Sequence, residues 1–222
     1  MPRLGILVVG QSPRPEVESE FARLLAGVDL DQRGCLDGLS RAEIADLAPA
    51  ANETALFTRL PSGEGVTLSK QAVIRHGVTQ LDALATSGAD AVVVLCTGDF
   101  PDWADRRVLF PSAVLRHFVL GLLPAGRLGV LTPLAAQADE AERRWAALGY
   151  AVTQAALSPN AGMDEIEQAG AELAAGDPDL LVLDCVSYTR KTKRILCAKT
   201  GRPAILAISA VARAAAELLD RG

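Results

Sequence analysis

The sequence lacks most of the signals that would name a function class at once. Phe, Trp and Tyr together make up 4% of its 222 residues. No basic stripe interleaved with aromatics runs along it, which argues against nucleic acid as a partner. No apolar run reaches membrane-spanning length, so no membrane segment is expected. The opening Met-Pro-Arg-Leu-Gly-Ile-Leu does not have the layout of a signal peptide and enters a strand directly, so the expected location is cytoplasmic. The four cysteines include no close pairs, which argues against zinc. A reducing compartment also argues against disulfides. The phosphate-binding spacing GxxxxGK[ST] is absent. There is no low-complexity segment and no obvious flexible linker.

What is present is apolar and repetitive. Half of the residues are hydrophobic, enough to bury a sizeable core in one α/β domain or two small lobes. One pattern then occurs twice. A-T-S-G-A-D-A-V-V-V-L-C-T-G carries Cys96, and A-A-G-D-P-D-L-L-V-L-D-C-V-S carries Cys185. Laid on each other, Asp90 falls on Asp179, Val93 on Val182 and Cys96 on Cys185. Each copy reads as a helix end, a turn, a buried parallel strand and a cysteine. A second repeat supports the first: R-L-G-I-L-V-V-G begins at Arg3 and R-L-G-V-L-T-P at Arg127. Each would open a half-chain. The longer spacing in the first half implies an insertion between Asp37 and His76.

The rest of the chain alternates strand and helix, which predicts a mainly parallel sheet in each half. Strands are expected at Leu4–Val9, Leu30–Leu36, Ala91–Leu95, Arg127–Thr132, Tyr150–Ala156, Leu180–Asp184 and Arg202–Leu206. A hairpin is expected over Thr54–Leu68. Helices are expected at Glu16–Ala26, from Ser40 to Leu47, from Ser69 to Ser87, from Pro111 to Leu123, from Pro133 to Leu148, and over Met163–Ala175, Thr189–Lys199 and Ser209–Leu219. Ser40-Arg41-Ala42-Glu43 has the form of a capping box. A charged stretch runs through Arg107. His76, His117, Cys35 and Cys197 have no evident partner in the pattern and read as structural.

Ligands of open α/β sheets bind outside the carboxyl ends of the strands, which is where Cys96 and Cys185 fall. A cysteine there that also faces a helix N-terminus has its thiolate stabilised and can act as nucleophile or general base. One from each half, facing across a cleft, would offer a base on one side of a small substrate and an acid on the other. Both are expected to be partly solvent-accessible. Thr97, Gly98, Ser187 and Tyr188 stand beside them as groups to hold a carboxylate and a developing enolate. Tyr188 reads equally well as a cap on the sheet edge. Thr132 mirrors the Gly10–Ser12 turn. In that turn Ser12 is placed to hydrogen-bond a carboxylate and Arg14 to pair with one. An ordinary turn with a solvated arginine fits Arg14 as well.

G-Q-S-P-R-P-E-V, L-S-R-A-E-I-A-D-L-A-P, L-C-T-G-D-F, L-T-P and L-D-C-V-S-Y resemble the AroM family over nearly the whole chain. The two-lobed plan is similar, more distantly, to the aspartate/glutamate racemase superfamily. That resemblance implies an α/β fold of two pseudo-symmetric lobes, each a mainly parallel sheet flanked by helices. The lobes would be residues 1–110 plus 207–222, with the last helix crossing back, and 111–206, with the active site in the cleft between them. It also implies chemistry without cofactor or metal, with Cys96 and Cys185 at the superfamily's cysteine positions. The superfamily's Asn-Thr after the first cysteine is Thr97-Gly98 here, and Val186-Ser187 replaces Gly-Cys-Thr after the second. The expected function is a cofactor-independent racemase or isomerase moving a proton at a carbon of a small carboxylate or cyclic amide. The alternatives are a decarboxylase using Cys185 alone and a non-catalytic small-molecule binding protein. A homodimer is the one assembly considered.

Overall fold

In the computed structural model, which describes residues 1–103 and 108–220, the opening strand β1 (Arg3–Val8) encloses Leu4, Ile6 and Leu7 completely. Successive residues of a strand face opposite ways, so both faces are covered, as a parallel sheet between helices requires. The charged stretch expected through Arg107 includes residues 104–107, which lie outside those described. Among the described residues no helix is long and apolar enough to cross a membrane.

The chain divides into two compact units, Met1–Pro111 with the chain from Val211 onward, and Ser112–Ala210. The second boundary falls inside the last helix, where Ala207 and Ala210 pack into the second core.

In the first unit β1 is followed by α1 (Pro15–Leu24), β2 (Asp29–Gly34), α2 (Arg41–Ala45), the hairpin β3 (Ala55–Arg59) and β4 (Gly65–Ser69), α3 (Lys70–Thr86), β5 (Ala91–Leu95) and β6 (Val108–Leu109). The sheet order is β2-β1-β5-β6, all parallel. The antiparallel hairpin forms a separate two-stranded sheet. The capping box forms: the Ser40 N–H donates to Glu43 at 2.7 Å and the Glu43 N–H to Ser40 Oγ at 3.3 Å.

The second unit holds α4 (Pro111–Leu122) from Ser112 on, β7 (Arg127–Thr132), α5 (Ala138–Ala146), β8 (Ala151–Ala156), α6 (Met163–Ala175), β9 (Leu180–Leu183), α7 (Arg190–Thr200), β10 (Ala204–Leu206) and the start of α8 (Ala207–Leu219). Its order, read from the equivalent edge, is β8-β7-β9-β10, again all parallel. Leu115 and Val119 of α4 pack with Leu128, Val130, Trp145 and Val182 to fill the core.

The repeats seen in sequence occupy equal places. Leu4 pairs with Ala91 and Leu128 with Leu180, in the same register. At the foot of each pair the Arg3 N–H donates to Asp90 and the Arg127 N–H to Asp179, both at 2.8 Å. The Asp90 and Asp179 N–H groups return a bond to the carbonyls of Arg3 and Arg127, again at 2.8 Å. This closed ring explains why the aspartate recurs.

Several boundaries differ from expectation for local reasons. Cys35 lies just beyond β2, because Gly34 turns to give its N–H to the Asp37 carboxylate at 2.7 Å. Thr189 is the cap of α7 and not its first residue; its hydroxyl accepts from the Thr192 N–H at 3.2 Å. The helix expected from Pro133 is a short 3-10 turn, Ala135–Gln137, followed by α5.

Candidate active site

The residues with chemistry gather at the carboxyl end of each sheet. In the first unit the turn after β1 brings Ser12 and Arg14, and the turn after the neighbouring β5 brings Cys96, Thr97 and Gly98. In the second unit β7 ends at Thr132, and the turn after the neighbouring β9 holds Cys185, Ser187 and Tyr188.

Each cysteine makes the same local bond. The Gly98 N–H donates to the Cys96 sulfur at 3.4 Å, and the Ser187 N–H to the Cys185 sulfur at 3.4 Å. The donor is two residues on in both cases, so the bond belongs to the turn that ends each strand. An N–H aimed at sulfur favours the thiolate over the thiol, and burial acts the other way. Both side chains are more enclosed than expected, at 8% and 6% exposure. In the first unit the hairpin closes over the turn: a Cβ placed at Gly98 would meet Leu56 at 3.3 Å, the Cys96 sulfur at 3.5 Å and Phe100 at 3.6 Å. In the second, Tyr188 is buried, with Cys185 close enough for its charge to be felt at the phenol.

Thr97, Gly98 and Ser187 are half-buried beside the sulfurs. Thr132 is 2% exposed, its hydroxyl directed at the Leu134 carbonyl at 3.4 Å. Three more expected substrate contacts also hold the protein's own groups. The Ser12 hydroxyl donates to Asp37 at 2.7 Å, as does its N–H. Arg14 is buried and not solvated; it bonds Glu16 at 2.6 Å and the Arg59 carbonyl at 2.9 Å. The Tyr188 hydroxyl donates to the Leu157 carbonyl at 2.7 Å, and burial, with the charges of Cys185 and Asp184, pushes its phenol up. Burial acts to raise the Glu16 carboxyl, but the hydrogen bond and charge of Arg14, with Arg59, together hold it below the usual carboxylate range.

Sequence reasoning passed over four groups. Asp37 accepts from Ser12 and Gly34 and so ties the turn after β1 to the end of β2. Its only sequence signal is the Asp-Gly turn at Asp37-Gly38. Asp184, directly before Cys185, is buried and paired with Arg144 at 2.5 Å. Leu56 and Thr58 reach the site from the hairpin, and nothing in the pattern around them announces it. Cys35 is buried in the first core, where burial, and then the neighbouring Cys96 and Asp37, push its thiol up. Among the described residues no cluster of three His, Cys, Asp or Glu side chains is placed to hold a metal ion.

A family model described as AroM protein matches residues 4–219. No curated protein matches the chain in sequence. Solved structures do match over its whole length. The maleate isomerase of Pseudomonas putida S16 superposes with a TM-score of 0.65 at 18% identity, covering 99% of this chain and 93% of its own. Unliganded arylmalonate decarboxylase gives 0.62 at 17%, covering 100% and 94%. Glutamate racemase from Francisella tularensis, solved with D-glutamate, gives 0.58 at 13%, covering 100% and 84%. The fold is therefore Asp/Glu racemase-like: α/β, with two parallel sheets flanked by helices.

Proposed function

We propose, from the premise that the chain belongs to the AroM family, that it is a cofactor-independent racemase or isomerase in which Cys96 and Cys185 move a proton at one carbon of a small carboxylate or cyclic amide. One observation carries the reading: the two cysteines end equivalent strands and receive the same N–H bond from the residue two positions on. A packing cysteine has no need of that bond, and two matching ones are harder to explain by packing than one.

The thiolate of one cysteine takes the proton from carbon, leaving an enolate. The thiol of the other returns a proton to the opposite face. One thiol and one thiolate remain, in exchanged positions, so charge and protons balance. Thr97, Gly98, Thr132 and Ser187 are assigned to the carboxylate and the enolate oxygen. Ser12, Arg14 and Tyr188, bonded to Asp37, Glu16 and the Leu157 carbonyl, are assigned to holding the turns that carry those groups. The reading takes the protein as cytoplasmic, with a homodimer as its assembly.

Deuterium wash-in from solvent tests it, over a panel of an arylmalonate, maleate, both enantiomers of glutamate and a substituted hydantoin. Exchange into at least one compound is expected. Cys96→Ser and Cys185→Ser should each lower its turnover by about 10²- to 10⁴-fold, the usual share of a general acid or base. A severe loss from Cys185→Ser alone would point to a decarboxylase. Binding without exchange would point to a non-catalytic protein. Full activity in both variants would sink the mechanism.

A further inference from the structure

Residues 35–69 join β2 to α3, whereas only residues 157–162 join β8 to α6. The hairpin in that longer segment lies across the carboxyl ends of β1 and β5. The inward face of its first strand carries Leu56 and Thr58, continued by Leu60, at 4%, 2% and 5% exposure. Leu56 stands against Gly98, next to the Cys96 sulfur. Thr58 stands against Gly10 in the turn after β1, where an added Cβ would lie 2.6 Å from its hydroxyl oxygen. The glycine is what lets that hydroxyl come so close.

Thr58 as a residue is 2% exposed, and its hydroxyl makes no hydrogen bond to another described residue. The oxygen is not one of the fully enclosed atoms that lack a partner, so it keeps a small opening at the strand ends, where valine would fill the same space but offer no donor. We propose that Thr58 is a substrate-binding residue: its hydroxyl donates to an oxygen of a carboxylate held at the ends of β1 and β5, and Leu56 limits the bulk that fits beside Cys96. The proposal rests on the carboxylate reading above and names the element that selects the acid. The selection is one-sided, because the second unit has no such hairpin.

The test is calorimetric titration of the full chain with malonate and with succinate, together with the rate at which iodoacetamide alkylates Cys96 in their presence, read by mass spectrometry. At least one diacid should bind and slow alkylation of Cys96. Thr58→Val should weaken that binding about tenfold or more, as loss of a bond to a charged group does. Thr58→Ser should keep it within about twofold. The valine variant should melt no lower than the wild type, since it removes a hydroxyl that no other described residue bonds; should it fail to fold, Thr58→Ala serves. Unchanged affinity in the valine or alanine variant overturns the proposal, as does a wild-type chain that binds neither diacid. If the affinity falls as expected while Cys96→Ser and Cys185→Ser retain full exchange, the binding assignment stands and the two-cysteine mechanism does not.

Discussion

Cys96 and Cys185 receive the same bond at the same distance, but the ground around them differs in kind. Leu95 precedes Cys96, and Leu56 and Phe100 cover its turn; Phe100 itself stacks on Trp103 at 4.5 Å. Asp184 precedes Cys185, held by Arg144, with Tyr188 closing the other side. The shared part is backbone, set by strand register and the turn that follows. The unshared part is side chain, set by an insertion in one unit and an ion pair in the other. A duplicated frame thus keeps its hydrogen-bond geometry cheaply, while specificity and charge are free to diverge on each copy.

The ion pair is where this contrast breaks most sharply. Arg144→Ala removes the Arg144 cation from the buried Asp184 carboxylate, and should destabilise the protein by roughly 3 kcal/mol. Removing both charges as Arg144→Leu with Asp184→Leu, which makes the second unit resemble the first at this position, should recover most of that loss. Urea unfolding of the two variants checks it. If the single variant costs nothing, the pair is not what separates the two surroundings.

Asp37 gives a smaller effect on the other side. It accepts three bonds at 2.7 Å from Ser12 and Gly34. Asp37→Ala should cost about 2 kcal/mol, the scale of bonds to a charged acceptor. Amide exchange should speed at Ser12 and Gly34, while the β7 and β9 amides stay as protected as before. Equal loosening of both sheets would show that Asp37 acts globally.

The smallest effect concerns pH. The Glu16 carboxyl is held below its ordinary value of 4.5. Its contribution to stability is therefore full above that value and is lost as pH falls through its folded-state value. Glu16→Gln should be less stable than wild type at neutral pH, with the gap closing in acid. The turn after β7 has no such pair, so substitutions there should show no matching acid dependence. A gap that stays constant from neutral to acid would remove the Arg14–Glu16 pair from the account.

Much of the frame was legible in the residues. Parallel strands buried on both faces read as short runs of Val and Leu, so β1, β5, β7 and β9 stood out. The Arg3/Arg127 and Asp90/Asp179 repeats pointed to a duplicated unit before any register was known. The two cysteines followed, because strand ends are where such sheets carry ligands. The same local logic left out the protein's own partners of Arg14 and Ser12. It offered their polarity to a substrate with no means of seeing Asp37, Glu16 and the Arg59 carbonyl come to meet them.

What the sequence determined by itself was therefore local or repeated: strand and helix periods, the capping box at Ser40, and the matching places of Cys96 and Cys185. What only the tertiary structure decided was which groups, distant in the chain, share a small volume. Arg144 meets Asp184 across 40 residues, Arg14 meets Arg59 across 45, and Tyr188 meets Leu157 across 31. Periodicity reports which way one segment faces. It carries nothing about the second segment that packs against that face, and burial turns such a meeting into a hydrogen bond or an ion pair only once both have arrived.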